Sequence, residues 1–184
     1  MSPTTANPSA RRTELLEASY AYALTHGLAG LSLRPLAEAI GSSTRVLMFL
    51  FGNKDGLVRA LLERARADEL ALLASLRDTG RPAGLPATAE RVWTWLSAPA
   101  HRPLLRLWAE AYARSLVEPE GPWAGFARAT VDDWLGVLAA SEEDEVRRTL
   151  ALAVLRGALL DLLATGDEER VGSAVRLQLA LLSR

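Results

Sequence analysis

Residues 33–54 read LRPLAEAIGSSTRVLMFLFGNK. Leu36, Ala37 and Ile40 in the first half, and Val46, Leu47, Leu50 and Phe51 in the second, recur at i+3 and i+4, which predicts two short α-helices with one apolar side each and not strands. Gly41 ends the first, because a tight turn after a helix usually needs φ > 0. Ser43 is placed to cap the second, and Pro35 falls in the first turn of the first, where a missing N–H costs little. Ala37 is small where two helices must cross. This is the shape of a helix-turn-helix, whose second helix enters the major groove of DNA. An ordinary helical hairpin in a core has the same shape, so the flanking chain carries the distinction.

Upstream, a helix is expected from about Ser9 to His26, with Leu15, Leu16, Ala18, Ser19, Tyr22 and Ala23 inside and Gly27 at its end. Leu28 and Leu31 pack the connection and Ser32 caps the next helix. Downstream, Asn53 caps a long helix, about Lys54–Arg77, whose inner residues are Leu57, Leu61, Leu62, Ala65, Leu70 and Leu73, and Asp55 favours its dipole. Thr79–Pro86 (TGRPAGLP) is a loop. Further helices follow at about Ala87–Ser97, Pro99–Leu116, Trp123–Ala139 and Ser141–Ala164, with Glu142, Glu143 and Asp144 in the first turn of the last. This acidic run reads as a dipole-favourable helix start and not as a cation site. Gly166 stops that helix and Asp167 caps a final one, ending near Leu182. No strand is expected. The chain is therefore read as all-α with about nine helices: a flexible arm (1–10), a three-helix helix-turn-helix head (11–55) and a larger helical body (56–184).

Hydrophobic residues make up 49% of the 184, ample for a core. No apolar run is long enough to span a bilayer and the first residues lack the apolar stretch of a signal peptide, so a cytoplasmic location is expected. Cysteine is absent and the two histidines, His26 and His101, lie far apart. No thiol chemistry, metal site or cofactor is expected, and no nucleophile–base pair or phosphate loop suggests an enzyme. Net charge is −1, but it is unevenly spread. Residues 1–66 carry eight basic and five acidic side chains, and the remainder thirteen basic and seventeen acidic. A mildly basic front on an acidic back suits a DNA-reading head on a body that avoids phosphate.

Residues 11–57 resemble the DNA-binding domain of the TetR family of bacterial transcriptional regulators. The residues that carry the likeness are Ala18, Gly27, Leu36, Ala37, Gly41, Ser43, Phe51, Lys54 and Leu57. The rest of the chain matches in length and helix count. The resemblance implies a homodimer that binds a palindromic operator and is released when a small molecule occupies the body. Two positions depart from the family pattern. Met48 stands where a tyrosine often helps hold a phosphate, and Leu50 where a histidine is frequent. Both leave the DNA-facing end of the helix short of hydrogen-bonding groups. The alternative reading is a helical ligand-binding or interaction protein with weakened DNA binding.

Physical roles can be assigned within the head. Residues early in a recognition helix face base edges, so Ser43, Thr44, Arg45, Met48 and Phe49 are candidates, with Arg45 suited to guanine and Thr44 and Phe49 to a thymine methyl. Ser32 and Lys54, at helix N-termini, and Arg34 are candidates for phosphate. Arg11 and Arg12 would bind phosphate or enter a minor groove from the arm.

In the body, Trp93, Trp108, Tyr112, Trp123, Phe126 and Trp134 are candidate walls of an apolar small-molecule cavity, with His101, Arg106 and Glu110 as polar anchors. Each aromatic also fits plain core packing. The small residues Ala151, Ala153, Gly157 and Ala158, with Val154, Asp161, Val171, Val175 and Leu179, suggest a four-helix bundle between two subunits. Asp161, in an apolar helix, needs a partner, either Arg156 or an arginine across an interface.

Overall fold

A computed structural model describes residues 8–78 and 84–182. Among them the regular structure is entirely helical: α1 (Pro8–His26), α2 (Leu33–Ala39), α3 (Thr44–Phe51), α4 (Lys54–Asp78), α5 (Leu85–Ser97), a 3-10 turn (Pro99–His101), α6 (Arg102–Val117), α7 (Phe126–Leu138), α8 (Glu145–Thr165) and α9 (Glu168–Leu182). Residues 1–7 of the expected arm and 79–83 of the expected loop lie outside the described residues.

Most helix boundaries follow from local chemistry. Gly41 turns the chain between α2 and α3 at φ 63°. The Ser43 hydroxyl accepts the Val46 N–H at 3.3 Å, Asn53 Oδ1 accepts the Gly56 N–H at 2.7 Å, and Asp167 accepts the Arg170 N–H at 3.0 Å. Other expectations need correction. Ser32 precedes α2 without a side-chain cap bond. The α8 start lies four residues later than expected, because Asp144 and not Ser141 caps it, accepting the Val146 N–H at 2.8 Å. The arm is shorter than 1–10, since Pro8, Ser9 and Ala10 already belong to α1, which also holds Arg11 and Arg12. Val46 and Leu70 are exposed; α3 instead buries Leu47 and Phe51.

The buried residues form two clusters. One joins α1–α3 to the first three turns of α4 through Leu15, Leu28, Leu36, Leu47, Leu57 and Leu61, and takes in Leu107, Ala111, Trp123 and Phe126 from the body. The other unites α5–α9 with Leu73 of α4. At 1.5 Å per residue α4 is about 37 Å long, which lets one helix serve both clusters. It is clamped to α1 by Tyr20, whose hydroxyl donates to Asp68 at 2.9 Å, and by Arg64, which reaches Glu17 at 2.7 Å and also pairs with Asp68. Burial, with the adjacent Asp68 carboxylate, holds the Tyr20 phenol well above its ordinary value.

Candidate functional site

The head presents α3 outward. Leu47 and Phe51 anchor one side of this two-turn helix in the core. The opposite side carries exposed Arg45, Met48 (51% exposed) and Phe49 (82% exposed), with Thr44 half-buried. A phenylalanine so exposed on a well-anchored helix has no packing role in the monomer. Ser43 spends its hydroxyl on the cap. Arg45 and Lys54 are in no ion pair among the described residues, whereas Arg34 pairs with Glu38 at 3.2 Å and Arg11 with Glu14 at 2.7 Å. Arg12 lies over the Phe51 ring at 5.0 Å, which braces α1 against the end of α3. Ser32 is exposed at the start of α2.

The junction from α3 to α4 contains a contact that sequence reading missed. Gly56 lies so close to the end of α3 that a Cβ there would fall 2.0 Å from the Phe51 carbonyl oxygen. Nothing local marks this glycine, because its constraint comes from the angle between two helices.

In the body, α4–α8 surround a narrow cavity of about 30 Å³, room for little more than one water molecule. Trp95, Trp108, Phe126 and Trp134 line it, with Leu105, Leu152, Leu155 and Leu159. Of the six aromatics expected there, Trp108, Phe126 and Trp134 are on the wall. Trp93 is buried instead near Gly172 of α9. Trp123 joins the head cluster, and Tyr112 lies in an outer groove between α6 and α8. Trp95 was missed because Trp93 and Trp95 point to different sides of α5 and both sides are covered. The expected polar anchors are not on this wall: His101 hydrogen-bonds the Trp95 carbonyl at 2.9 Å and stacks on that indole. Glu110 accepts the Leu28 N–H at 2.8 Å, tying α6 to the head. Arg106 lies in a groove beside α1.

Two polar side chains do reach the cavity, Glu69 and Arg156. Glu69 had a signal in the sequence, since it lies four residues from both Ala65 and Leu73 on the apolar stripe of α4. Its Oε1 accepts the Trp134 indole N–H at 2.5 Å. Burial pushes its carboxyl up to about 7; the Trp134 bond, Arg66 and the Trp108 indole work against this and Asp133 adds to it. The folded value lies above the ordinary 4.5, so the associated stability is full below pH 4.5 and is lost as pH rises through about 7. Asp133 is itself paired with Arg66 at 2.9 Å. Arg156 donates to the Tyr112 hydroxyl at 2.8 Å.

The expected dimer residues divide. Ala151, Val171, Val175 and Leu179 are buried in the chain's own core, where α8 and α9 pack on α5, and so cannot meet a second copy. Val154 and Ala158 are half-buried and Gly157 is exposed. Asp161 is held by Arg170 of the same chain through two bonds of 2.8 and 2.6 Å, which lower its carboxyl below the ordinary value. Neither Arg156 nor a foreign arginine is needed. The exposed apolar residues and glycine of α8 are Val146, Leu150, Ala153, Gly157, Leu160 and Ala164, and the exposed apolar residues of α9 are Ala174, Leu177, Ala180 and Leu181.

Solved structures share this architecture over nearly the whole chain. A transcriptional regulator from Rhodococcus sp. Rha1 is 25% identical, with TM-score 0.70 over 93% of this chain and 95% of that one. EbrR, a multidrug binding protein solved with ethidium, is 26% identical, with TM-score 0.70 over 92% and 98%. A TetR transcriptional regulator from Legionella pneumophila, 17% identical, shares the fold, with TM-score 0.67 over 98% of each chain. No family model and no curated protein sequence matches the chain. With its helix-turn-helix, its long α4 common to both cores and its all-helical body, the chain has the fold of the TetR-family transcriptional regulators.

Proposed function

We propose that the chain is a dimeric DNA-binding transcriptional regulator, a repressor that leaves a palindromic operator when a small apolar or aromatic effector occupies the cavity of the body. The observation that carries this reading is the exposed side of α3, where Arg45, Met48 and Phe49 stand clear of a rigidly packed head. Arg45 reads a guanine edge, Phe49 and Met48 pack on thymine methyls, and Lys54 holds a phosphate at the N-terminus of α4.

Dimerisation is supported by the spacing of the exposed apolar residues. On α8 they fall at 146, 150, 153, 157, 160 and 164, alternating steps of four and three, and on α9 at 174, 177, 180 and 181. This is the seam of helices that pack nearly parallel or antiparallel against partners. Two copies joined along it form a four-helix bundle and carry two α3 helices to successive major grooves.

The likeness to EbrR supports an aromatic effector. The cavity is too small for such a molecule as it stands, so binding must push its walls apart. One wall is α4, through Ala65 and Glu69, and the same helix begins at the junction with α3. An effector therefore favours a different separation of the two heads, and operator affinity falls by population shift.

Selection of bound sequences from random DNA at low salt, without effector, tests the reading. A two-fold symmetric motif is expected. Arg45→Ala should relax it at one symmetric position, at a cost of about 1–3 kcal/mol in discrimination. Lys54→Ala should weaken all sequences alike and reduce the salt slope by about one. Recovery of no motif overturns the regulator reading and leaves an interaction protein.

A further inference from the structure

The outward side of α3 is poor in hydrogen-bonding groups. Of residues 44–50 only Thr44 and Arg45 carry an N–H or O–H on the side chain, and Thr44 is half-buried. The Ser43 hydroxyl oxygen is taken by the Val46 N–H. Phe49 lies two residues from buried Leu47, about 200° round the helix, and so stands in the centre of the exposed side. Arg45 is its neighbour one turn earlier, and the exposed side chains of Met48 and Val46 flank it.

The charge around this apolar side says what covers it. Arg45 and Lys54 are exposed and in no ion pair among the described residues. Residues 1–66 carry eight basic and five acidic side chains. An apolar protein partner would leave both cations without a counter-charge, whereas a nucleic acid supplies it. Within a major groove the apolar group at the base edges is the C5-methyl of a pyrimidine. Thymine carries it and so does 5-methylcytosine; uracil and cytosine lack it. A phenyl ring has no donor or acceptor with which to tell the thymine O4 from the cytosine amino group, so it responds to the methyl and not to the base. Arg45, about 6 Å along the helix or nearly two base-pair steps away, supplies the guanine contact that fixes the register.

We infer that Phe49 makes this protein a reader of pyrimidine C5-methyl groups, which accepts 5-methylcytosine where its operator has thymine and discriminates against uracil and unmodified cytosine. This rests on α3 lying in the major groove, as proposed above. Methylation of a cytosine at such a position raises the affinity of the site, so the methylation state of the DNA becomes an input to binding.

The test uses duplexes bearing the motif recovered by selection. Thymines within about three base pairs of the guanine that Arg45→Ala identifies are replaced in both half-sites by uracil, or by cytosine or 5-methylcytosine paired with guanine. Fluorescence anisotropy with the full chain should show binding weaker by about fourfold for one methyl removed, the factor for one buried methyl-sized group, and by about fifteenfold for a symmetric pair. 5-Methylcytosine should bind tighter than cytosine by the same factors. Phe49→Ala, at a position exposed enough to leave the head folded, should bring thymine and uracil, and likewise the two cytosines, within about twofold of each other. A motif with no thymine near that guanine, equal affinity for thymine and uracil, no gain from 5-methylcytosine, or a methyl preference that survives in Phe49→Ala overturns the inference and leaves a regulator that reads its operator by other contacts. Recovery of no motif overturns the regulator reading and this inference with it.

Discussion

Gly56→Ala should unfold or displace the helix-turn-helix head, at a cost of about 3 kcal/mol or more. The new methyl would fall 2.0 Å from the Phe51 carbonyl oxygen and 3.2 Å from its carbon. Relief requires a backbone shift, and both sides of the contact are pinned. The Phe51 oxygen accepts the Asn53 N–H at 3.0 Å, and Asn53 in turn caps the Gly56 N–H. The Phe51 ring is buried under α1, while Leu57 and Leu61 of α4 are fully enclosed. The cheapest escape swings α3 away from α4, taking the exposed Arg45 and Phe49 out of register with a partner head. Thermal unfolding should show a fall of about 6–12 °C for a chain of this size, and operator binding should be lost at temperatures where the body remains helical. Gly30→Ala is the control, since a Cβ there meets nothing within 4 Å and should leave both readouts unchanged. Equal behaviour of the two variants would contradict the account of the junction.

Leu160→Glu with Leu177→Glu should give a folded monomer whose operator affinity is lower by about 100-fold or more. The two leucines are 53% and 67% exposed in the isolated chain, so glutamates there cost the monomer little. In the proposed bundle the same positions lie at the seam, and four carboxylates would be forced out of water without partners. Each head alone then binds its half-site without the gain in effective concentration that a linked second head supplies. Sedimentation velocity should show the halved mass, with an unchanged far-ultraviolet spectrum. A persistent dimer would place the interface elsewhere. Leu155→Ala is the contrasting change: at 1% exposure on the inward side of α8 it should cost about 2–5 kcal/mol of fold stability, whatever the state of assembly.

The contrast between Leu155 and Leu160 also marks how far sequence reading reaches. Helices α1–α4 and the turn at Gly41 are legible because their signals are short-range: apolar spacing, Ser43 and Asn53 as caps, a glycine where the chain reverses. The residues proposed to face DNA are read from their position on α3 alone. By contrast α8 is apolar on two sides, and periodicity finds both stripes without saying which meets the chain's own core. Val171, Val175 and Leu179 were therefore assigned to a partner when they serve the monomer, and Leu150, Leu160 and Leu177 were passed over.

The cavity shows the same limit. Tryptophans are conspicuous in a sequence, yet their convergence depends on how α5, α6 and α7 close on α4. Trp95 reaches the cavity and Trp93 does not, although two residues separate them. Glu69 could be noticed as an acid on an apolar stripe, but its bond to Trp134, 65 residues away, exists only in the packed molecule. The helices, most of their caps and the helix-turn-helix were thus present in residues 33–54 and their flanks, because a helix is made by neighbours in the chain. The Gly56 contact, the division of α8 into a buried and an exposed side, and the place of Glu69 on the cavity wall came only from packing, because each is a distance between residues on different helices.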